Sequence, residues 1–121
     1  MTPDPSPTTA LSDSEYHART SAVLASIEAS IDAWLQDDVV DIDTNRSGGL
    51  LELGFENGSK IVLNTQAPLQ ELWLAARSGG FHYRYVASVW VNTRGGADLF
   101  DALSACASEQ AGKPLRFSAP G

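Results

Sequence analysis

The stretch "LLELGFENGSKIVLN", residues 50–64, limits the fold more than any other part of the chain. Its apolar residues alternate with polar ones at a period of two, the spacing of half-buried strands, and Asn57-Gly58 between the two runs supplies the backbone freedom of a tight turn. The pattern also sets the loop length. A two-residue Asn57-Gly58 loop would pair Leu53 with Val62 and Phe55 with Lys60, splitting Ile61 and Leu63 from the face that carries Leu51, Leu53 and Phe55. A three-residue loop, Glu56-Asn57-Gly58, with Gly58 left-handed in a bulge, pairs Leu53 with Ile61 and Leu51 with Leu63. The bulged turn is predicted, and with it a sheet whose apolar face needs a cover.

Two segments can provide that cover. Ser12 and Glu15 form a capping box, in which each side chain satisfies a free backbone N–H of a first helical turn. Tyr16, Val23, Leu24, Ile27, Ile31 and Trp34 then recur at three- and four-residue spacing, one apolar stripe of a helix running to about Gln36. At about 100° per residue, His17, Glu28 and Asp32 fall within roughly 60° of one another on the flank of that stripe. A second helix is predicted from about Ala97 to Ala111, with Leu99, Phe100, Leu103, Cys106 and Ala107 on its apolar side, Gly112 as its stop and Pro114 beyond. The final "PLRFSAPG" reads as an extended tail.

Between the helices, the remaining patterns are those of strands. Val40, Ile42 and Thr44 alternate with Asp41, Asp43 and Asn45, so the aspartates share an outer face. Gly48-Gly49 marks a turn, "TQAP" another, and "ELWLAAR", "GGFHYRY" and the short "VWVN" continue the sheet, with "RGG" closing it. The order is a helix, five or six consecutive antiparallel strands, then a helix. This is an α+β chain, a two-layer α/β sandwich with both helices packed on one face of the sheet.

Whole-chain properties narrow the function. A length of 121 residues fits one domain with a modest core. The lone Cys106 rules out an internal disulfide framework and a cysteine-based metal site, and on the helix stripe it reads as a small core hydrophobe. "MTPDPSPTTAL" lacks the apolar run of a secretory signal and the Arg-rich character of a transit peptide, so residues 1–11 are expected to be a disordered tail and 12–118 the domain. No apolar run approaches the roughly 20 residues needed to span a bilayer, and a cytoplasmic protein is expected. "NGS" at 57–59 fits a glycosylation acceptor but reads better as the hairpin turn.

The net charge is −7, and it is unevenly spread: residues 1–56 carry eleven acids against Arg19 and Arg46, whereas residues 57–121 carry four acids against six bases. Such a surface repels nucleic-acid phosphates and anionic lipid and attracts cations or basic protein patches. Neither nucleic acid nor membrane is therefore an expected partner. The acids concentrate in "DDVVDIDTNR", where Asp37, Asp38, Asp41 and Asp43 fall within seven positions. Composition alone favours a solvated face as their reading. No nucleophile with a histidine and an orienting acid, no P-loop and no dinucleotide fingerprint is present.

"SDSEYH", "DIDTNRSGGLLELGFENGSKIVLN", "QAPLQELWLAA", "GGFHYRY" and "EQAG" resemble, in order and spacing, the bacterial frataxins (CyaY), and the likeness covers roughly residues 12–118. The resemblance implies a cytoplasmic protein that binds iron, Fe²⁺ or Fe³⁺, weakly on an acidic ridge. It also implies docking onto the cysteine desulfurase of iron–sulfur cluster assembly and its scaffold complex. Carried over residue by residue, the ridge matches Glu28 and Asp32 on the helix and Asp41 and Asp43 on the strand, with Asp37 and Asp38 in the connection. His17 and Asp13, one turn apart, are further candidates. Ala29 and Ala33 depart from the pattern, standing where acid-rich members would carry a second carboxylate, so a thinner ridge holding fewer ions is expected.

Ligand chemistry agrees with weak binding, because tight iron sites need converging ligands that usually include histidine, and carboxylates along an open surface do not converge. Each ion would keep much of its water and yield to salt or to other divalent cations. Trp73 alternates with Leu72 and Leu74 and so stands on the open side of the sheet, as an interface anchor or a partly covered packing residue. Asn64 and His82 are counted with it as partner-binding candidates, His82 because its parity is opposite to that of Phe81 and Tyr83. Trp34 and Trp90 read as structural. Three functions stay open: an iron-binding, non-enzymatic regulator, a pure adaptor with incidental metal binding, and an iron-oxidising storage protein. A monomer is expected, open to iron-dependent oligomers.

Overall fold

The computed structural model describes residues 11–120, so the expected tail falls, apart from Leu11, outside the described residues. Helix α1 (Asp13–Gln36) is followed by β1 (Asp43–Ser47), β2 (Leu50–Gly54), β3 (Lys60–Gln66), β4 (Glu71–Ala76), β5 (Gly79–Val86), β6 (Val89–Asn92) and helix α2 (Leu99–Ala111). The six strands form one antiparallel sheet in chain order, β1-β2-β3-β4-β5-β6. Both helices cover one face: Tyr16, Val23, Leu24, Ile27 and Ile31 of α1 and Leu99, Phe100, Leu103 and Ala107 of α2 are buried with Leu51, Leu53, Ile61, Leu63, Leu72, Leu74, Tyr83 and Trp90 of the sheet. The expected two-layer α/β sandwich is the fold observed.

Local chemistry starts and stops each element. Ser12 and Glu15 close the capping box, Ser12 Oγ accepting from the Glu15 N–H and Glu15 Oε1 from the Ser12 N–H. Leu11, placed in the tail by sequence, is held by Gln70, which accepts from its N–H at 3.0 Å and donates to its carbonyl at 2.6 Å. The β2–β3 hairpin has the predicted register, Leu51 opposite Leu63 and Leu53 opposite Ile61, around a three-residue loop with Gly58 at φ +87°.

Three expectations need correction. β1 begins at Asp43, not near Val40, because β2 ends at Gly54 and leaves the preceding residues no strand to pair with. Thr44, although on the helix-facing side opposite Leu53, is exposed at the sheet edge. Helix α2 begins at Leu99, since Asp98 is its N-cap and accepts from the N–H groups of Phe100 and Asp101. The C-terminal segment is extended, yet it belongs to the core. Leu115 and Phe117 are buried, Phe117 packs against Trp34 with ring centroids 4.8 Å apart, and Ser104 Oγ accepts from the Phe117 N–H at 2.9 Å. Phe117→Ala should therefore lower stability by about 3–5 kcal/mol in urea unfolding. A loss under about 1 kcal/mol would place the segment outside the cooperative core.

Tyr83 adds a pH dependence. Its hydroxyl is buried without a hydrogen-bond partner, and burial pushes the phenol up to about 12, with the charge of Cys106 adding to the rise. The Asn92 side chain, opposite on β6, pulls the other way without meeting hydrogen-bond geometry. The folded state thus keeps a proton that the unfolded chain releases near pH 10, so this contribution is complete below about pH 10 and is lost as pH rises towards 12. Tyr83→Phe should leave stability at pH 7 unchanged or higher and flatten the alkaline loss, read by denaturant midpoints at pH 7 and above 10.

Candidate metal-binding ridge and docking face

The acidic corner is built by the way α1 ends. Asp37 is its C-cap and Asp38 follows in the left-handed region at φ +60°, a conformation that aspartate tolerates better than most residues. The Asp38 N–H reaches the Leu35 carbonyl at 3.2 Å and the Val39 N–H the Trp34 carbonyl at 2.8 Å, which closes the helix and reverses the chain. Ile42 is then buried, and this anchor turns Asp41 and Asp43 on either side of it to solvent. Asp43 stands opposite Gly54 on the outer side of the sheet edge, and Asp37, Asp38 and Asp32 are exposed as well.

The helix-edge candidates are not all brought together. Glu28 and Asp32 are one turn apart, but His17 is eleven positions from Glu28, about 16 Å along the axis at 1.5 Å per residue, and Asp13 is farther still. No single ion bridges those two groups. His17 instead borders a groove with Ser21, Arg46, Gly49 and Thr65. Arg46 donates to Glu28 Oε1 at 2.7 Å and to Ser21 Oγ at 3.2 Å, so Glu28 already has a cation. The signal for this was present in the sequence: Arg46 has the inward parity of Ile42 on an edge strand, where a charge needs a partner. Lys113, exposed beyond α2, brings a second cation, with Nζ donating to the Val39 carbonyl.

On its other side Asp41 shares a cavity of about 220 Å³ with Val40, Phe55, Glu56, Asn57 and Gln110, which adds Glu56 to the acidic corner. Sequence reasoning treated Glu56 only as a turn residue. Among the described residues no group of three or more His, Cys, Asp or Glu side chains converges as a metal cage. Exposed carboxylate oxygens suit a hard, largely hydrated cation held by charge and do not suit a resident, desolvated centre.

The uncovered sheet face carries the other candidates. Asn64, Trp73 and His82 lie directly opposite one another across β3, β4 and β5. The Trp73 and His82 rings stack with centroids 4.3 Å apart and planes 6° from parallel. His82 is exposed and Trp73 half-buried, and beyond His82 a cavity of about 370 Å³ is lined by Gly80, Asn92, Thr93 and Arg94.

Known proteins with this pattern decide the family. The Frataxin-like domain profile matches residues 9–113. The chain is 51% identical over 109 residues to the iron-sulfur cluster assembly protein CyaY of Burkholderia mallei (strain SAVP1), covering 90% of this chain and 100% of that protein. The chain belongs to the frataxin-like family. Among solved structures it is similar to the frataxin of Psychromonas ingrahamii, with a TM-score of 0.79, 32% identity, and coverage of 89% of this chain and 99% of that one. A trimeric frataxin from the yeast Saccharomyces cerevisiae in a ferrous complex shares the fold, with a TM-score of 0.62 at 24% identity, covering 87% of this chain and 90% of that one.

On this frataxin scaffold the Arg46–Glu28 contact ties β1 to α1 at a half-buried position. A double-mutant cycle with Glu28→Gln and Arg46→Gln should give a coupling of about 0.5–1 kcal/mol that shrinks as salt rises. Zero coupling at low salt would mean that Arg46 does not neutralise Glu28.

Proposed function

We propose that this protein is an iron-binding regulator and adaptor of iron–sulfur cluster assembly, which holds Fe²⁺ or Fe³⁺ weakly on its acidic ridge and docks on the cysteine desulfurase and its scaffold. The metal is cargo or effector here, not a fixed cofactor. The observation that carries this reading is the exposed corner of Asp37, Asp38, Asp41 and Asp43, none of which has an ion-pair partner among the described residues. Glu28, held by Arg46, contributes less to it, Asp32 stands at its margin, and His17 and Asp13, near the other end of α1, lie away from it. Four unneutralised carboxylates attract a hydrated cation or a basic protein surface by the same field, so iron and the desulfurase compete for it or share it. Trp73, with Asn64 and His82 beside it, supplies the apolar contact with the assembly complex.

The likeness to proteins named for iron–sulfur cluster assembly supports this role, and the ferrous complex of yeast frataxin supports iron as the metal. The trimeric state of that yeast protein is compatible with iron-dependent assemblies of an otherwise monomeric chain. An iron-oxidising site would ask for converging ligands and an open position for oxidant, and the spread of these carboxylates favours binding over oxidation. No helix among the described residues is long and apolar enough to cross a membrane.

An anaerobic Fe²⁺ titration followed by amide NMR at near-physiological salt tests the proposal. Broadening should concentrate at residues 37–43 and weaken towards Glu28. Asp41→Asn with Asp43→Asn should weaken both Fe²⁺ and desulfurase binding by about tenfold and leave the fold intact, because both side chains face water. Broadening spread evenly over the chain would leave the acids as a docking surface alone and favour the pure adaptor.

A further inference from the structure

Glu71 is the one acid among the described residues that the fold buries, at 6% exposure, and it lies away from the acidic ridge. A carboxylate removed from water is costly unless its oxygens are hydrogen-bonded. On β4, Glu71 and Trp73 are two positions apart and so share the uncovered face, while Arg84 and His82 stand opposite them on β5. The four side chains form a block. Trp73 Nε1 donates to Glu71 Oε1 at 2.9 Å, Arg84 donates to Oε2 at 3.3 Å, and His82 Nδ1 lies 3.6 Å from Oε1. The backbone beneath is fixed too, since the Tyr16 hydroxyl donates to the Glu71 carbonyl at 2.6 Å.

We propose that Glu71 is a positioning residue for docking: its buried carboxylate holds the Trp73 indole flat against His82, so that an anchor is preset before the partner arrives. An unrestrained surface tryptophan would lose rotamer freedom on binding, and that cost lowers affinity. Here one acceptor fixes the indole N–H, and the same carboxylate draws in Arg84 and His82 of β5, the second of which stacks on the ring. The arrangement also specifies what the anchor takes. With its N–H turned inward and one face against His82, the indole offers its remaining face, on the side of Asn64, and no donor. The matching group on the partner is an apolar side chain or the flat face of a proline or peptide unit, and not a hydrogen-bond acceptor.

The inference rests on Trp73 being a docking residue, and the two ideas fail separately. The three tryptophans give three indole N–H signals, with Trp34 and Trp90 as internal controls. In the unmodified protein the Trp73 signal should be protected from solvent exchange. Exchange as fast as a free indole would end the proposal with no variant needed. Glu71→Met, which removes the acceptor without opening a large cavity, should shift and deprotect the Trp73 signal alone. Glu71→Gln, whose amide oxygen can still accept, should restore it. Against the assembled desulfurase and scaffold, Trp73→Ala and Glu71→Met should each weaken binding by about tenfold, and Glu71→Gln by no more than about twofold. Full affinity of Glu71→Met with its Trp73 signal displaced would overturn the positioning role while leaving docking intact. Full affinity of Trp73→Ala would instead overturn the docking reading on which it rests.

Discussion

The register of the β2–β3 hairpin is the constraint from which the rest follows. Gly58 in its left-handed conformation adds one residue to the turn, and that residue places Leu51, Leu53, Ile61 and Leu63 on a single face. A slip by one position would send half of them to the opposite side. With the register fixed, each later strand extends the same two faces: Leu72, Leu74 and Tyr83 continue the covered one, and Asn64, Trp73 and His82 continue the open one. The helices then have only one apolar surface on which to pack. The open face stays uncovered because both helices are occupied elsewhere.

Strand order equal to chain order has an electrostatic consequence. An uneven charge along a sequence is usually mixed by folding, since crossovers bring distant segments side by side. In a six-strand meander it is laid out in space. Asp37, Asp38, Asp41 and Asp43 gather where α1 ends and β1 begins, while Arg84 and Arg94 lie at the β5–β6 end. At about 4.8 Å per strand, β1 and β5 are roughly 19 Å apart, more than two Debye lengths at physiological salt. The fields of the two ends are therefore screened from each other, with Trp73 between them.

The elements that one segment specifies by itself were legible in the sequence. The Ser12–Glu15 capping box, the stripe of α1, the bulged turn and the parity of Trp73 against Leu72 and Leu74 each depend on neighbours within a few positions. The features that escaped depend on distant ones. Leu115 and Phe117 show no period of their own, and their burial reflects a groove beside Trp34 and α2 that exists only after folding. The start of β1 depends on where β2 ends. Of the ridge candidates, sequence placed Asp41 and Asp43 outward, yet the angular reading passed over the helix half-length between His17 and Glu28, and the parity of Arg46 asked for a partner without naming Glu28. Angular position on a helix is periodic, whereas axial distance is not, and a helical-wheel argument discards the second.

The placement of the acids carries a cost that solubility alone does not explain. Solubility is served by charge almost anywhere on the surface. Asp37 and Asp38 instead follow the last turn of α1, where exposed carbonyls already present partial negative charge and no basic residue stands in the final turn. Asp41 and Asp43 add to that field within a few residues. Among the described residues the fold offsets it with Arg46 at Glu28 and with Lys113 at the Val39 carbonyl inside the corner, and none of the four aspartates has an ion-pair partner. A cation arriving there relieves a repulsion built into the native state, so binding and stability are linked in the same direction. Among the described residues no third ligand converges there, so the corner presents charge without a desolvated metal cage.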